Sequence, residues 1–232
     1  MEVEWKVDKP IQVEGWKRIK AITREVSGMV DSAELIIDLG GGTGWFGRHL
    51  ASKHPKARIL SIDIVPRLGN PEVTHIKGSA LDVPIKDRQA DIVGANAILH
   101  HVPEHLDKCI LEISRILKPG GLFLTQEPLA NNPVASWTRG FVTTSAHEEG
   151  ERPLSFETME KSMKKNGLAL EKVEYFFLTS YLMSHIVPRL PMKGLFRKVG
   201  LCMVKFDRSM LASFPKCRKY AAYVSIVARK SQ

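Results

Sequence analysis

One five-residue apolar run closed by a glycine bend constrains this chain more than anything else in it. Leu35-Ile36-Ile37-Asp38-Leu39 passes directly into Gly40-Gly41-Gly42-Thr43-Gly44. A nearly unbroken aliphatic run has no polar face to give to water. It therefore reads as a strand buried on both sides, as parallel sheets require. A helix from about Thr43 to Lys53 follows, and Pro55 ends it. Strand, glycine turn and helix at this spacing form the first part of a βαβ unit.

The alternation continues along the chain. Ala57–Ile62 and Val73–Ile76 read as strands two and three, and Asp91–Asn96 as strand four. A helix over about Pro103–Leu117 starts with a proline whose missing N–H costs nothing in a first turn. Lys118-Pro119-Gly120-Gly121 reads as a turn into strand five, Leu122–Gln126. Residues 128–154 are loop-like, with a weak helix around Ala135–Phe141. Ser155 is placed to cap a helix that ends at Asn166-Gly167. Leu170–Leu178 and Tyr220–Ala228 complete the strands. Ahead of them all, Val13, Trp16, Ile19, Ile22, Val26 and Met29 form one apolar stripe at helical spacing.

These elements predict an α/β fold: a mostly parallel sheet with helices on both faces. The expected organisation is a single domain over 1–232. It has an N-terminal helical segment (1–32) and a basic helical insert (about 180–219) between strands six and seven. About forty residues between two strands is too long for plain loop, so the insert reads as a lid or substrate element.

Composition sets the class. With 44% apolar and 25% charged residues the chain is neither disordered nor fibrous. Cys109, Cys202 and Cys217 are an odd number at wide spacings, which suits neither a disulfide framework nor a CxxC metal site. That points to a reducing compartment. The opening MEVEWKVDKP has no apolar signal core, and no apolar run approaches a membrane span, so the expected location is cytoplasmic with no transmembrane segment. The formal net charge is +9. From His185 to Gln232 eleven Lys/Arg face one acid, Asp207, whereas the rest of the chain is nearly balanced. Such a segment suits an anionic partner or a solvated flank.

The glycine bend alone leaves its ligand open, because Gly42-x-Gly44-x-x-Gly47 also fits a dinucleotide fingerprint. Three further features separate the readings. Asp38 stands two residues before Gly40, where a carboxylate repels a pyrophosphate but suits an ammonium or sulfonium. Asp63 ends strand two, where it can accept both hydroxyls of a ribose. Lys118-Pro119-Gly120-Gly121 precedes strand five, with the strand-like YVSIVARK much later.

On these motifs the chain resembles the class I S-adenosylmethionine-dependent methyltransferases. Within them it is similar to the small-molecule group that includes ubiquinone/menaquinone-type C-methyltransferases. The likeness is strong over about 33–127 and loose over 150–230. It implies a Rossmann-like seven-stranded sheet of order 3-2-1-4-5-7-6 with strand seven antiparallel, and S-adenosyl-L-methionine as cofactor. By the same resemblance Gly40, Gly41, Gly42 and Gly44 form the loop under the methionine moiety, with Asp38 near its amino group. Asp63 matches the ribose acid and Ile64 the residue packing on adenine. Ser79, Ala80 and Leu81 match the segment at the adenine edge, where Ser79 replaces the family's frequent acid. Asn96 matches a residue facing the methionine and methyl.

Methyl transfer from a sulfonium needs mainly alignment, and a base only where the acceptor is protonated. His100 and His101 follow strand four, at the edge where open α/β sheets bind ligands. The resemblance favours His101 as the base. Glu127, by its position after strand five on the acceptor side, reads as a residue that orients a substrate group. No metal is expected, since His101 and His105 lie across a proline-containing helix start. Leu190, Met192, Leu195, Phe196, Val199, Met203, Phe206, Met210 and Phe214 mix with charges in the insert. The expected acceptor is therefore a small molecule or lipid-like, with peripheral membrane contact as a further reading. The rivals are an RNA methyltransferase using the basic C-terminal segment and a catalytically silent module that only binds S-adenosylmethionine or NAD. Against RNA, strand four lacks an Asn-Pro-Pro-aromatic sequence.

Overall fold

A computed structural model describes residues 9–65, 71–136, 152–187 and 190–232. In chain order the elements are α1 (Lys9–Ser27), β1 (Leu35–Leu39), α2 (Trp45–Leu50), β2 (Arg58–Asp63), β3 (Thr74–Lys77), β4 (Ala90–Asn96), α3 (Leu106–Ile116) and β5 (Leu117–Pro128). They continue with α4 (Phe156–Lys165), β6 (Leu168–Phe176), α5 (Ser180–Ile186), α6 (Lys193–Ser213) and β7 (Tyr223–Lys230). The seven strands form one sheet of order β3-β2-β1-β4-β5-β7-β6. Only β7 runs against its neighbours β5 and β6. This is the topology the resemblance implied.

Each inner strand feeds two cores. Ile37 and Val93 face α3 and α4 with Ile110, Ile113 and Met159. Their neighbours Ile36 and Ile92 face the other way, against Ile22, Val26, Phe46 and Leu50 of α1 and α2. Side chains alternate across a strand, so burial on both faces accounts for the unbroken aliphatic runs in the sequence. The side chains of Val13, Trp16 and Ile19 lie outside the described residues. So does most of the weak helix expected near 135–141.

Two local expectations differ in the structure. The Lys118–Gly121 turn is absorbed into an extended β5, whose pairing shifts from Ala90↔Leu117 to Ile92↔Leu122. Gly120, with φ +76°, takes the left-handed step there. The helix expected from Pro103 opens with a tight turn, Pro103–His105, before α3 begins at Leu106. The caps of α4 follow the sequence: Ser155 Oγ accepts the Thr158 N–H at 3.2 Å, and Gly167 has φ +75°.

Between β6 and β7 lie α5 and α6, and one acid of α6 ties it to the segment that leaves β6. Asp207 of α6 is buried and accepts from the backbone N–H groups of Leu178, Thr179 and Ser180 and from both adjacent hydroxyls, at 2.6–3.0 Å. It thereby satisfies the orphan donors that open α5. Removing it would strand several buried donors. Asp207→Ala should lower the unfolding free energy by about 2–3 kcal/mol in urea titration. A loss below about 0.5 kcal/mol would show that water replaces the carboxylate.

Candidate functional site

The site lies at the C-terminal ends of β1, β2 and β4, where the parallel strands present their loops. The chain leaves β1 through three left-handed glycines, Gly40 (φ +64°), Gly42 (φ +51°) and Gly44 (φ +75°). Two of these positions are also sterically closed. A Cβ on Gly40 would meet the Ile98 side chain at 2.1 Å, and one on Gly44 would meet Val73 at 2.7 Å. A Cβ on Gly42 would meet nothing within 4 Å, so its main chain borders open space.

Asp38 is beneath this loop rather than beside the open space. It is fully buried, and its Oδ2 accepts the Gly47 N–H at 2.9 Å at the start of α2. Its Oδ1 and the nearby Ser61 hydroxyl are buried without a hydrogen-bond partner. A Cβ on Gly41 would strike the Asp38 carboxylate and Ser61 Oγ, each within 2.6 Å. Glycine at 41 is what lets the loop rest on these groups. Burial pushes the Asp38 carboxyl up to about 7; the Gly47 N–H opposes this and the Asp63 charge adds to it. The sequence reading puts Asp38 near a ligand's amino group; the structure places its carboxyl under the loop, against Gly41. A carboxyl with no exposed surface holds the loop from below.

Asp63 faces the loop from β2. Its Oδ2 accepts the Gly42 N–H at 3.0 Å, and its Oδ1 accepts the Val65 N–H at 2.9 Å. One donor on each oxygen leaves lone pairs on both for a diol. Ile64 is next in the chain, 59% exposed, an apolar surface at a strand end. The Ser79–Asp82 turn comes to the same end, because the Gly78 N–H donates to the Asp63 carbonyl at 3.0 Å. Ser79 Oγ accepts the Leu81 N–H at 3.1 Å, so the serine shapes the turn. Ala80 and Leu81 are partly buried against the core. Asn96, half-buried, ends β4 one step after Ala95, which pairs with Leu39.

Beyond Asn96 the backbone turns sharply, with Ala97 at φ +58°. Glu127 at the end of β5 organises the segment from Ile98 to His100. It is fully buried, and its Oε1 accepts from the N–H groups of Ile98 and Leu99 at 2.9 Å and from the Thr125 hydroxyl at 3.1 Å. Its Oε2 lies 2.8 Å from His100 Nδ1. With Glu127 surrounded by donors, the network assigns the ring proton to Nδ1 and leaves Nε2 as the acceptor. His101 is exposed, its ring 4.3 Å from that of His100. The structure thus joins His100, rather than His101, to a buried acid. The sequence hinted at this only through an acid at the end of a buried strand, since the partners stand 27 residues apart.

Two hollows lie farther along the same edge, away from the glycine loop. One of about 270 Å³ sits between β6 and α6, against Tyr175, Phe177, Val204, Leu211, Arg208 and Arg218. The other, of about 350 Å³, shares Tyr175 and Arg218 and reaches Phe156 and Leu129, two residues past Glu127. Among the described residues, no three His, Cys, Asp or Glu side chains could hold a metal ion together. The cysteines are free; Cys109 is buried, which pushes its thiol up to about 12.

The strand order, the left-handed glycine bend and the acid on β2 define a class I methyltransferase fold. Residues 37–125, the segment running from β1 into β5, match the model of a protein family described as a methyltransferase domain. The chain is 31% identical over 118 residues to an uncharacterized methyltransferase-like protein of Schizosaccharomyces pombe, covering 48% of this chain and 42% of that one. It is 26% identical over 146 residues to the fatty-acid O-methyltransferase of Mycolicibacterium smegmatis, covering 60% and 53%. The matches thus span about half the length of these curated relatives. The crystal structure of geranyl diphosphate C-methyltransferase from Streptomyces coelicolor, in complex with magnesium, geranyl diphosphate and S-adenosyl-L-homocysteine, has the same fold. Its TM-score is 0.63 at 16% identity, covering 95% of this chain and 82% of that one.

The raised Asp38 carboxyl makes stability depend on pH with a definite sign. Below about pH 4 the group is protonated in both states. Between there and about 7 the unfolded chain ionises and the folded one does not. Stability therefore falls by about 1.4 kcal/mol per pH unit on its account. Asp38→Asn removes this slope, so the unfolding free energy of the variant should gain on the parent across that window. Parallel curves would show that Asp38 titrates alike in both states.

Proposed function

We propose that this chain is an S-adenosylmethionine-dependent methyltransferase acting on a small, lipid-like acceptor. The observation that carries the cofactor reading is Asp63, held by the Gly42 and Val65 N–H groups beside the open face of the loop. Both its oxygens keep lone pairs for a ribose diol, Ile64 offers an apolar face for a flat base, and Gly42 leaves room for the chain of the ligand. A dinucleotide fits less well. Its pyrophosphate would need the N-terminal N–H groups of α2, and the buried Asp38 already occupies that end through Gly47.

When bound, S-adenosylmethionine supplies a methyl group on a sulfonium, which is already an activated leaving group. The chain then has to hold, align and keep water out. Gly40–Gly44 and Asp63 hold the nucleoside end, the Ser79–Leu81 turn borders the base, and Asn96 stands at the rim towards the acceptor. His100 Nε2 accepts a proton from an acceptor that carries one, with Glu127 fixing the ring through Nδ1. The base role thus falls to His100 in place of His101.

The acceptor class rests on the two hollows. The first is mainly aliphatic and aromatic, with Arg208 and Arg218 beside Glu174; the second sets Leu129, Phe156 and Tyr175 among Asn131, Glu157, Arg218 and Lys219. That combination suits an apolar chain with an anionic group. The relatives that act on a fatty acid and on geranyl diphosphate have acceptors of this character by name.

The cofactor reading is tested by calorimetry with S-adenosylhomocysteine. Asp63→Ala should weaken binding by about 1.5–3 kcal/mol, and an unchanged affinity would remove Asp63 from the site. The acceptor reading is tested by methyl-labelled cofactor incubated with fractionated cell extract. Label should enter the organic-soluble pool, and a label confined to RNA would replace the lipid-like acceptor with a nucleic acid. His100→Ala should abolish most of the incorporation. Glu127→Gln should lower the rate and move its pH profile, since Glu127 acts only through the ring it orients.

A further inference from the structure

α6 is buried on one side and greasy on the other. Val204, Asp207 and Leu211 point inward, towards β6 and α5. On the outside, Leu195 (53% exposed), Val199 (44%) and Phe206 (59%) stand in water with Cys202 between them. At about 100° per residue these four positions fall within about 60° of one another, a continuous stripe along three turns. Met192, 70% exposed, extends it past the helix start. The exposed Lys198 and Lys205 border the stripe along one side. The single acid of this region, Asp207, is buried on the opposite side with both oxygens engaged. The outward face of the helix itself therefore carries apolar and cationic groups and no acid, with Glu14 of the neighbouring α1 within electrostatic reach of Lys205.

We propose that this face of α6 docks the protein on the surface of an anionic lipid bilayer. Leu195, Val199 and Phe206 enter the acyl boundary, and Lys198 and Lys205 meet the headgroups. Charge selects this occupant over the others. A second copy meeting the same face would bring two rows of lysines together, with only Glu14 of α1 near one of them. An RNA backbone would satisfy the lysines but leave the aliphatic stripe without a partner. Docking through this face goes beyond methyl transfer and does not depend on it.

The test is co-sedimentation of the full chain with phosphatidylcholine vesicles, with and without phosphatidylglycerol. Binding should require phosphatidylglycerol and weaken as salt is raised. Val199→Ser with Phe206→Ser should reduce the partition coefficient at least tenfold, and Lys198→Glu with Lys205→Glu should do the same by charge alone. Both variants should keep the parental melting temperature and S-adenosylhomocysteine affinity, which separates this surface from the cofactor site. No sedimentation of the parent, or sedimentation that neither variant changes, would overturn the proposal. So would a dimer in solution that the serine variant dissolves, or RNA retention that depends on Phe206.

Discussion

A backbone bend held between two carboxylates is the constraint on which the site depends. Asp38 supports the bend from below, through the first turn of α2, and Asp63 grips it from the side at Gly42. Three left-handed glycines let the chain pass between them. The arrangement is expensive in electrostatic terms, because a buried carboxyl loses hydration that one N–H does not replace. The sheet around it is buried on both faces, and that packing offsets the cost.

Much of this could be read from residue order. The β/α alternation, the positions of the strands to within a few residues and the acid–glycine spacing all follow from local patterns with clear physical causes. Unbroken aliphatic runs mark doubly buried strands, and glycines mark places where a Cβ cannot be accommodated. What local pattern could not reveal was direction. Asp38 and Asp63 both look like ligand acids in the sequence, yet one points under the loop and the other along it. Likewise His100 and His101 are adjacent and chemically equal on paper. They are told apart only by Glu127, which the sheet brings alongside through the pairing of β4 with β5. Lys118–Gly121 looked like a turn because its residues are turn formers, and in the structure they form an irregular step inside β5, between the pairs Ala90↔Leu117 and Ile92↔Leu122.

The insert between β6 and β7 shows the same division. Its charge is visible in composition, whereas its two faces are not. Only the fold reveals that Asp207 turns inward to close α5 and that the phenylalanine one position earlier turns out. One helix thereby serves the cavity on one side and solvent on the other, which explains why its sequence has no clean amphipathic pattern.

The placement of β7 has a consequence for biogenesis. This strand is the last of the seven in chain order, yet it sits between β5 and β6 rather than at an edge. During synthesis the first five strands can assemble as a parallel unit, while β6 emerges with no neighbour to pair with. Until the final strand slides in, two unsatisfied sheet margins face one another across a gap, open to capture by other nascent chains. A ribosome that stalls in α6 would release a polypeptide with its glycine-loop half intact and its sheet unfinished.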